Sequence, residues 1–282
     1  MSWLIYNGNL QESEQALFTA DNRAFCYGDA LFETIRVSQN TLLNIQLHLQ
    51  RLHTGMKTLH LETEITLTPE VLTALTDKLM EKNGISNNAR LRLQVFRNAG
   101  GYYTPVFSKA SFLITVEPLE KNSYEMNEKG LLVDVFEDAR VHYDKLSALK
   151  TTNCLPYILA GLSRKETGLD DYLMMNTEGG IAEATSSNVF TFKDNTVYTP
   201  GLDQGCVDGV MRLKIIDFLK KKNMKVMEVK LLPRHLLEAD EVFLSNSIAG
   251  IRWVLGFQQK RYFNHFSKKI LTGLNEEIRS AG

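Results

Sequence analysis

The chain has 282 residues, 44% of them hydrophobic, which is enough to bury one large or two medium globular cores. Its 32 basic and 33 acidic residues are intermixed, and the net charge of −1 leaves no basic footprint for a nucleic acid. No apolar stretch approaches the roughly 20 residues that span a bilayer, and the first residues lack the features of a secretion signal. We therefore expect a cytoplasmic protein whose partner is a small molecule, not a membrane or a nucleic acid.

Several common kinds of site are not indicated. The cysteines Cys26, Cys154 and Cys206 are far apart, which argues against a disulfide framework and fits a reducing compartment. The six histidines include no HExxH sequence and no pair three or four residues apart, so we expect no metal site. Neither a glycine-rich nucleotide loop nor the GxSxG elbow of serine hydrolases occurs.

The first part of the chain mixes helical and extended patterns. Alternation of apolar and polar residues predicts strands over 32–37, 91–96 and 112–116. Apolar residues at helical spacing predict helices over 47–59 and 71–80. The polar segment 117–129 lacks apolar periodicity and is the expected linker. The sequence thus predicts an α+β domain over 1–120 and a second domain over 121–282.

The second part is predicted to be rich in short strands. The expected strands are 131–136, 197–199, 226–229, 241–244 and 251–255. The expected helices are 155–165, 209–219 and 266–278. A polar turn at 176–180 predicts a hairpin into a further strand over 181–192.

Six fragments, met in a fixed order, carry a family resemblance. They are YGDALFETIR from Tyr27, HLQRL from His48, LKTTNCLPYILAGLSRKETGLDDYLMMN from Leu149, GIAEATSSNVF from Gly180, YTPGLDQGCVDGVMR from Tyr198, and ADEVFLSNS from Ala239. Together they resemble the fold-type IV, or class IV aminotransferase, family of enzymes that use pyridoxal 5′-phosphate (PLP). The resemblance implies a homodimer of two-domain subunits like the D-amino acid and branched-chain aminotransferases. In such a subunit the N-terminal α+β domain is smaller than the C-terminal, strand-rich domain.

The chemistry of PLP explains two of the matched residues. An aldehyde cofactor needs an amine that bonds to it and later acts as acid and base, and the resemblance assigns this role to Lys150. PLP withdraws electrons while its pyridine nitrogen is protonated, which a nearby carboxylate favours. The resemblance assigns that carboxylate to Glu183, which strand alternation alone would make a solvent-facing acid. The family often has glycine next, where this chain has Ala184.

The phosphate of PLP is a dianion, and three kinds of donor bind it well: N–H groups at a helix start, a hydroxyl and a guanidinium. The resemblance supplies all three and adds a residue that packs beneath the cofactor ring. The implied cofactor contacts are the amides of Val210 and Met211, the hydroxyls of Ser187 and Ser247, the guanidinium of Arg51 and the side chain of Val207.

Other residues bear on the choice of reaction. Where transaminases of the family usually have Thr before the final Arg of a Gly-Ile/Val-Thr-Arg sequence, this chain has Met211, and the surrounding stretch is most similar to aminodeoxychorismate lyases. Thr34 offers a hydroxyl for a proton relay, although a β-branched residue that stabilises a strand is an equal interpretation. Arg97 and Tyr102 lie in a segment that resembles the lyases' glycine-rich loop. With Asn246, they are the candidate substrate contacts.

We therefore expect a PLP-dependent lyase that converts 4-amino-4-deoxychorismate to 4-aminobenzoate and pyruvate, a reaction of folate biosynthesis. In this expectation the amine substrate forms an external aldimine, and Lys150 removes the proton beside the nitrogen. The alternative is a class IV aminotransferase acting on branched-chain or D-amino acids. A PLP-binding protein without turnover is a third possibility, disfavoured because Lys150 and Glu183 are both present.

Overall fold

The computed structural model describes residues 2–281, which form two units. Unit 1 comprises Met1–Asn122 and Leu149–Asn153, and unit 2 comprises Ser123–Ala148 and Cys154–Gly282. Lys150 therefore packs with unit 1, although the sequence placed it inside the predicted second domain. Within residues 2–281, none of the helices has both the length and the apolar character that crossing a membrane requires.

A seven-stranded sheet with helices forms unit 1. The strands are β1 (Trp3–Tyr6), β2 (Asn9–Glu12), β3 (Ala30–Ser38), β4 (Thr41–Leu42), β5 (Glu62–Thr63), β6 (Ala89–Arg97) and β7 (Lys109–Pro118). The helices are α1 (Arg23–Tyr27), α2 (Ile45–Leu59) and α3 (Pro69–Lys82). The strand order is β2-β1-β7-β6-β3-β4, with β5 paired to β7. Strands β3, β6 and β7 pair antiparallel over most of their length and form the middle of the sheet.

Period-two alternation decides which face of β3 is buried against the helices. Leu31, Ile35 and Val37 point into the core of unit 1, together with Leu52 from α2. Gly55 of α2 lets the helix approach closely, because a Cβ there would lie 2.7 Å from a methyl carbon of Leu31. This close approach places one side of α2 directly against β3.

Unit 2 contains a nine-stranded sheet. Its strands are β8 (Leu131–Val141), β9 (Asp171–Asn176), β10 (Ile181–Ala184), β11 (Asn188–Lys193), β12 (Thr196–Pro200), β13 (Lys225–Val229), β14 (Glu241–Asn246), β15 (Gly250–Phe257) and β16 (Lys260–Arg261). Its helices are α4 (Leu155–Thr167), α5 (Val210–Lys221), α6 (Pro233–Glu238) and α7 (His265–Ala281). The order is β10-β9-β8-β15-β14-β11-β12-β13, with β16 paired to β15. Parallel pairing joins β8 to β9 and to β15, and joins β12 to β13.

The expected α+β class is confirmed, and most predicted elements are found within a few residues of their expected bounds. The strand predicted over 181–192 is instead two strands, because the chain turns at 185–187, where the Ala184 N–H donates to the Ser187 carbonyl (2.7 Å). The polar segment 117–129 is also more ordered than a plain linker. Tyr124 within it is buried, and its hydroxyl donates to the Ser247 carbonyl (3.0 Å).

Gly250, at the start of β15, is expected to tolerate no side chain. Its φ is +74°, and a Cβ would lie 2.6 Å from Cγ of the Tyr124 ring. We expect Gly250→Ala to lower the free energy of unfolding by about 1–3 kcal/mol, because a non-glycine residue is strained in this left-handed region. Gly161→Ala is the matched control, since it lies inside α4 with no atom within 4 Å of the added methyl group. Urea unfolding curves measure both, and an unchanged midpoint for Gly250→Ala would contradict the prediction.

Candidate active site

Backbone pairing with β3 fixes the segment that carries Lys150. The Phe32 N–H donates to the Lys150 carbonyl (2.9 Å), and the Thr152 N–H donates to the Ala30 carbonyl (3.1 Å). Leu149 is buried in the core of unit 1, which holds the segment from the other side. The Lys150 side chain is half-buried, and its Nζ lies 4.6 Å from the centroid of the Phe32 ring. The backbone of Lys150 is therefore fixed by its neighbours, and its side chain remains partly exposed.

A guanidinium lies close to the same aromatic ring. The Cζ of Arg92 is 4.1 Å from the centroid of Phe32. Arg92 lies directly opposite Thr34 in the β3–β6 register, and Thr34 shares a face of β3 with Phe32. An amine, a guanidinium and a hydroxyl therefore belong to one face of the unit 1 sheet. Such a set of donors suits an anionic ligand.

On the opposite face of β3, Glu33 contacts two side chains of α2, and the three form a buried ionisable cluster. Glu33 and His48 are each 1% exposed, and Arg51 lies three residues after His48 on α2. Arg51 donates to both Glu33 carboxylate oxygens, from Nε at 2.8 Å and from Nη2 at 2.5 Å. His48 Nδ1 lies 2.7 Å from Glu33 Oε2. The two-point contact fixes the plane of the Arg51 guanidinium.

Burial and charge set the protonation of this cluster. Burial alone would raise the pKa of Glu33, but the charge of Arg51 and hydrogen bonds from His48 and Arg51 outweigh it, so the pKa lies below its ordinary value. Burial lowers the pKa of His48 more than the Glu33 contact raises it. The cluster near neutral pH therefore comprises a carboxylate, a guanidinium and a neutral imidazole.

In unit 2, Glu183 is a buried acid with two defined donors. It lies on β10 and is 5% exposed, so the alternative interpretation of a solvent-facing strand acid is wrong. The Tyr157 hydroxyl donates to Oε1 (2.7 Å), and the Val207 N–H donates to Oε2 (3.2 Å). Burial and the negative charge of Glu183 raise the pKa of Tyr157, so the phenol remains a donor across the ordinary pH range.

The start of α5 offers a second polar feature of unit 2. Gly209 precedes the helix and provides no capping side chain, and Asn188 Oδ1 lies 1.8 Å from the place a Cβ at Gly209 would take. The Asn188 amide donates to the Val207 carbonyl (2.9 Å), which fixes the turn before the helix. Ser245 pairs with Asn188 in the β11–β14 register, so both side chains project from the same face.

Ser245 is 1% exposed, and its hydroxyl has no hydrogen-bond partner within residues 2–281. A buried hydroxyl without a partner is costly, so its presence points to a ligand that completes it. Strand β14, which carries it, packs against α5, whose first amides have no capping side chain. These donors fit a phosphate group, the carboxylate of Glu183 fits a pyridine nitrogen, and the amine of Lys150 fits an aldehyde. The residues present therefore fit PLP.

Two further residues of unit 2 that were predicted to contact the cofactor or the substrate, Ser187 and Asn246, are hydrogen-bonded to each other. The Asn246 side chain donates to Ser187 Oγ (3.1 Å) and accepts from two turn amides that follow it, at 3.1 and 2.8 Å. Ser187 is buried, and Ser247 lies in the turn after β14. Asn246 therefore holds two turns together, while its predicted contact with substrate stays a prediction.

Arg97 and Tyr102 in unit 1 differ sharply in exposure. Arg97 is 5% exposed, and its Nε donates to Asp29 Oδ2 (2.8 Å). Its other nitrogens donate to the carbonyls of Leu59, His60 and Phe107. Tyr102 is 82% exposed on the following loop. The Arg97 guanidinium anchors loops within unit 1, and the substrate contacts predicted for both residues stay predictions.

Sequence reasoning did not single out several residues of these clusters. Glu33 carried a usable signal, since it is an acid between Leu31 and Ile35 on the apolar face of a strand, where a buried charge needs a partner. Tyr157 and Ser245 carried no local signal. Their roles depend on residues distant in sequence, which only the folded chain brings together.

The comparisons with known proteins agree with this chemistry. The family model for amino-transferase class IV matches residues 30–256. The aminodeoxychorismate lyase of Bacillus subtilis is 28% identical over 255 residues, covering 88% of this chain and 84% of the relative. The D-alanine aminotransferase of Listeria innocua is 29% identical over 255 residues, covering 88% and 85%. The structure of a branched-chain aminotransferase from Thermoproteus uzoniensis superposes with a TM-score of 0.86 at 23% identity, covering 96% and 93%, and shows the shared fold.

The buried cluster of unit 1 is expected to make the protein less stable as the pH falls below 6.5, the ordinary pKa of His48. The unfolded chain takes up a proton on His48 there while the folded chain does not, so the free energy of unfolding decreases as the pH falls. Glu33 adds an effect of the same sign below its ordinary value of 4.5. Urea midpoints between about pH 7 and pH 4 measure the slope.

Two variants of α2 separate the contribution of His48. His48→Gln removes the titrating ring, so the free energy of unfolding is expected to fall less steeply below pH 6.5 than in the wild type. His53→Gln changes an exposed histidine of the same helix and should keep the wild-type slope. Equal slopes for His48→Gln and the wild type would refute the assignment.

Proposed function

The chain belongs to the class IV amino-transferase family of PLP-dependent enzymes, and within that family we propose that it is a lyase converting 4-amino-4-deoxychorismate to 4-aminobenzoate and pyruvate. The observation that carries the proposal is the pair of nitrogen groups at Phe32. The Lys150 amine lies 4.6 Å, and the Arg92 guanidinium carbon 4.1 Å, from the centroid of that ring. A guanidinium that contacts the same aromatic ring as the reactive amine favours a substrate with a second carboxylate, which aminodeoxychorismate has and D-alanine lacks.

The cofactor contacts follow from the donors of each unit. We propose that Lys150 bonds the aldehyde, that Glu183 binds the pyridine nitrogen, and that the amides of Val210 and Met211 bind the phosphate with Ser245. The further contacts proposed for the cofactor are those of Arg51, Ser187, Val207 and Ser247. When bound, PLP supplies an electron sink for the carbon that bears the substrate's amino group.

The proposed proton transfers use two side chains of unit 1. The Lys150 amine, once released from the cofactor, takes the proton from C4 of the substrate. The C3–O bond then breaks as the ring becomes aromatic, and the departing enolpyruvate takes up a proton to become pyruvate. Thr34 shares the sheet face of Phe32 and is the proposed route for that proton. Aromatisation of the product ring makes the step favourable.

A transaminase is the second candidate. The comparable identity to the D-alanine aminotransferase of Listeria innocua supports it, because the same amine and acid serve both reactions. In that reaction Lys150 would return the proton to the cofactor, whereas in the lyase reaction no proton is returned to it. The two candidates therefore share a site and differ in product.

Turnover of the purified holoenzyme tests the proposal directly. With 4-amino-4-deoxychorismate alone, we expect equal amounts of 4-aminobenzoate and pyruvate, followed by product fluorescence and by a coupled assay for pyruvate. Lys150→Ala should form neither product and should lose the visible absorption of the lysine-bound cofactor. Lys145→Ala, an exposed lysine a few residues earlier, is the matched control and should retain both.

A different outcome would favour the second candidate. Keto acid formed from D-alanine or L-leucine with 2-oxoglutarate, without release of 4-aminobenzoate from aminodeoxychorismate, would refute the lyase. It would leave the cofactor assignment intact, because the Lys150→Ala spectrum tests that separately.

Arg92 gives a second prediction, which concerns substrate recognition. Arg92→Gln is expected to raise KM for aminodeoxychorismate about tenfold or more, because a charge-assisted contact with a carboxylate is lost. Cofactor absorption should be unchanged. Arg90→Gln is the matched control, since Arg90 lies two residues earlier on the same face of β6 and pairs only loosely, at 3.6 Å, with Glu117. Equal KM values for the two variants would exclude Arg92 from substrate binding.

A further inference from the structure

Each carboxylate oxygen of Glu183 has a hydrogen-bond donor within unit 2. Its Oε1 accepts from the Tyr157 hydroxyl at 2.7 Å, and its Oε2 accepts from the Val207 N–H at 3.2 Å. These two donors come from different segments, the phenol from α4 and the amide from the turn before α5. The carboxylate is therefore held at both oxygens.

Packing makes Tyr157 a rigid donor. Its ring packs against the buried cluster of unit 2 that contains Phe136, Ala160 and Cys206. Ala160 lies one helical turn after Tyr157 on α4 and is fully buried, which fixes the helix against β8 and β9. A ring fixed in this way directs its hydroxyl at Glu183 with little loss of conformational entropy on ligand binding.

We propose that Tyr157 is a positioning residue: its hydroxyl holds the Glu183 carboxylate in the orientation and charge state that bind a protonated pyridine nitrogen. The inference rests on the role of Glu183 in the proposed function. Without the phenol, the buried carboxylate loses a hydrogen bond that favours its charged form. A carboxyl group that has taken up a proton no longer favours a protonated pyridine nitrogen.

A purely structural role makes a different prediction. If Tyr157 served only to satisfy a buried acid, its removal would loosen the site for every ligand to the same extent. If it acts through Glu183 on the ring nitrogen, its removal weakens only ligands that have that nitrogen. The 1-deaza analogue of PLP, with C–H in place of the nitrogen, separates the two roles because its aldehyde and phosphate are unchanged.

The experiment compares dissociation constants of the two ligands for the full-length protein freed of cofactor. Quenching of intrinsic fluorescence during titration with PLP or with its 1-deaza analogue gives each constant without any turnover. For Tyr157→Phe we expect the dissociation constant of PLP to rise about tenfold, the size expected for loss of a hydrogen bond to a charged group. The constant for the analogue should stay within about twofold of the wild-type value.

Three variants complete the design. Tyr172→Phe removes a hydroxyl from the same cluster, one that donates to Thr167 at 3.1 Å, and should change neither constant. Glu183→Gln should reduce the preference for PLP over the analogue at least as much as Tyr157→Phe does. Tyr157→His keeps a donor at the position, so its preference is expected to lie between those of Tyr157→Phe and the wild type, even if the phenylalanine variant folds poorly.

The outcomes distinguish this inference from the proposal it rests on. Equal weakening of both ligands by Tyr157→Phe, or a wild-type preference in that variant, would overturn the positioning role while the role of Glu183 stands. If Glu183→Gln leaves the preference unchanged, the contact of Glu183 with the ring nitrogen is refuted, and the inference with it.

Discussion

The site in unit 1 depends on two backbone hydrogen bonds, from the Phe32 N–H to the Lys150 carbonyl and from the Thr152 N–H to the Ala30 carbonyl. They attach a short segment of chain to the start of β3, as if it were a further strand. A lysine on a flexible loop would lose both backbone and side-chain entropy on bonding a cofactor, whereas a lysine on a paired segment has already lost the backbone part during folding. The backbone that carries the amine is therefore fixed before any ligand binds.

Buried and partly buried acids organise the polar side chains in both units. In unit 1, Asp29 accepts from Arg23 and Arg97, and Glu33 accepts from Arg51. In unit 2, Glu183 accepts from a phenol and an amide. A buried carboxylate is costly unless donors surround it, so each acid fixes the geometry of the groups that solvate it. The same physical requirement therefore stabilises the loops of unit 1 and prepares the proposed cofactor contact of unit 2.

Local sequence predicted what local physics determines. Neighbouring residues determine the alternation in β3 and β6, the helical spacing of α2 and the start of α5 after Gly209. These elements were found where expected. The motifs around Lys150 and Glu183 indicated the cofactor, which the family membership confirms, while the individual contacts stay predictions. Tyr157 could not be found in this way, because its partner lies on another element. The residues around Lys150 also do not indicate that this segment pairs with the sheet of unit 1.

The route of the chain has a consequence for biosynthesis. Residues Leu149–Asn153 complete unit 1, although the residues on both sides of them belong to unit 2, so the backbone passes from one unit to the other three times. A nascent chain that ends near residue 122 lacks Leu149, a member of the unit 1 core, and lacks the backbone partners of Ala30 and Phe32. The first unit is thus incomplete until 26 residues of the second unit and the five that follow them have been translated.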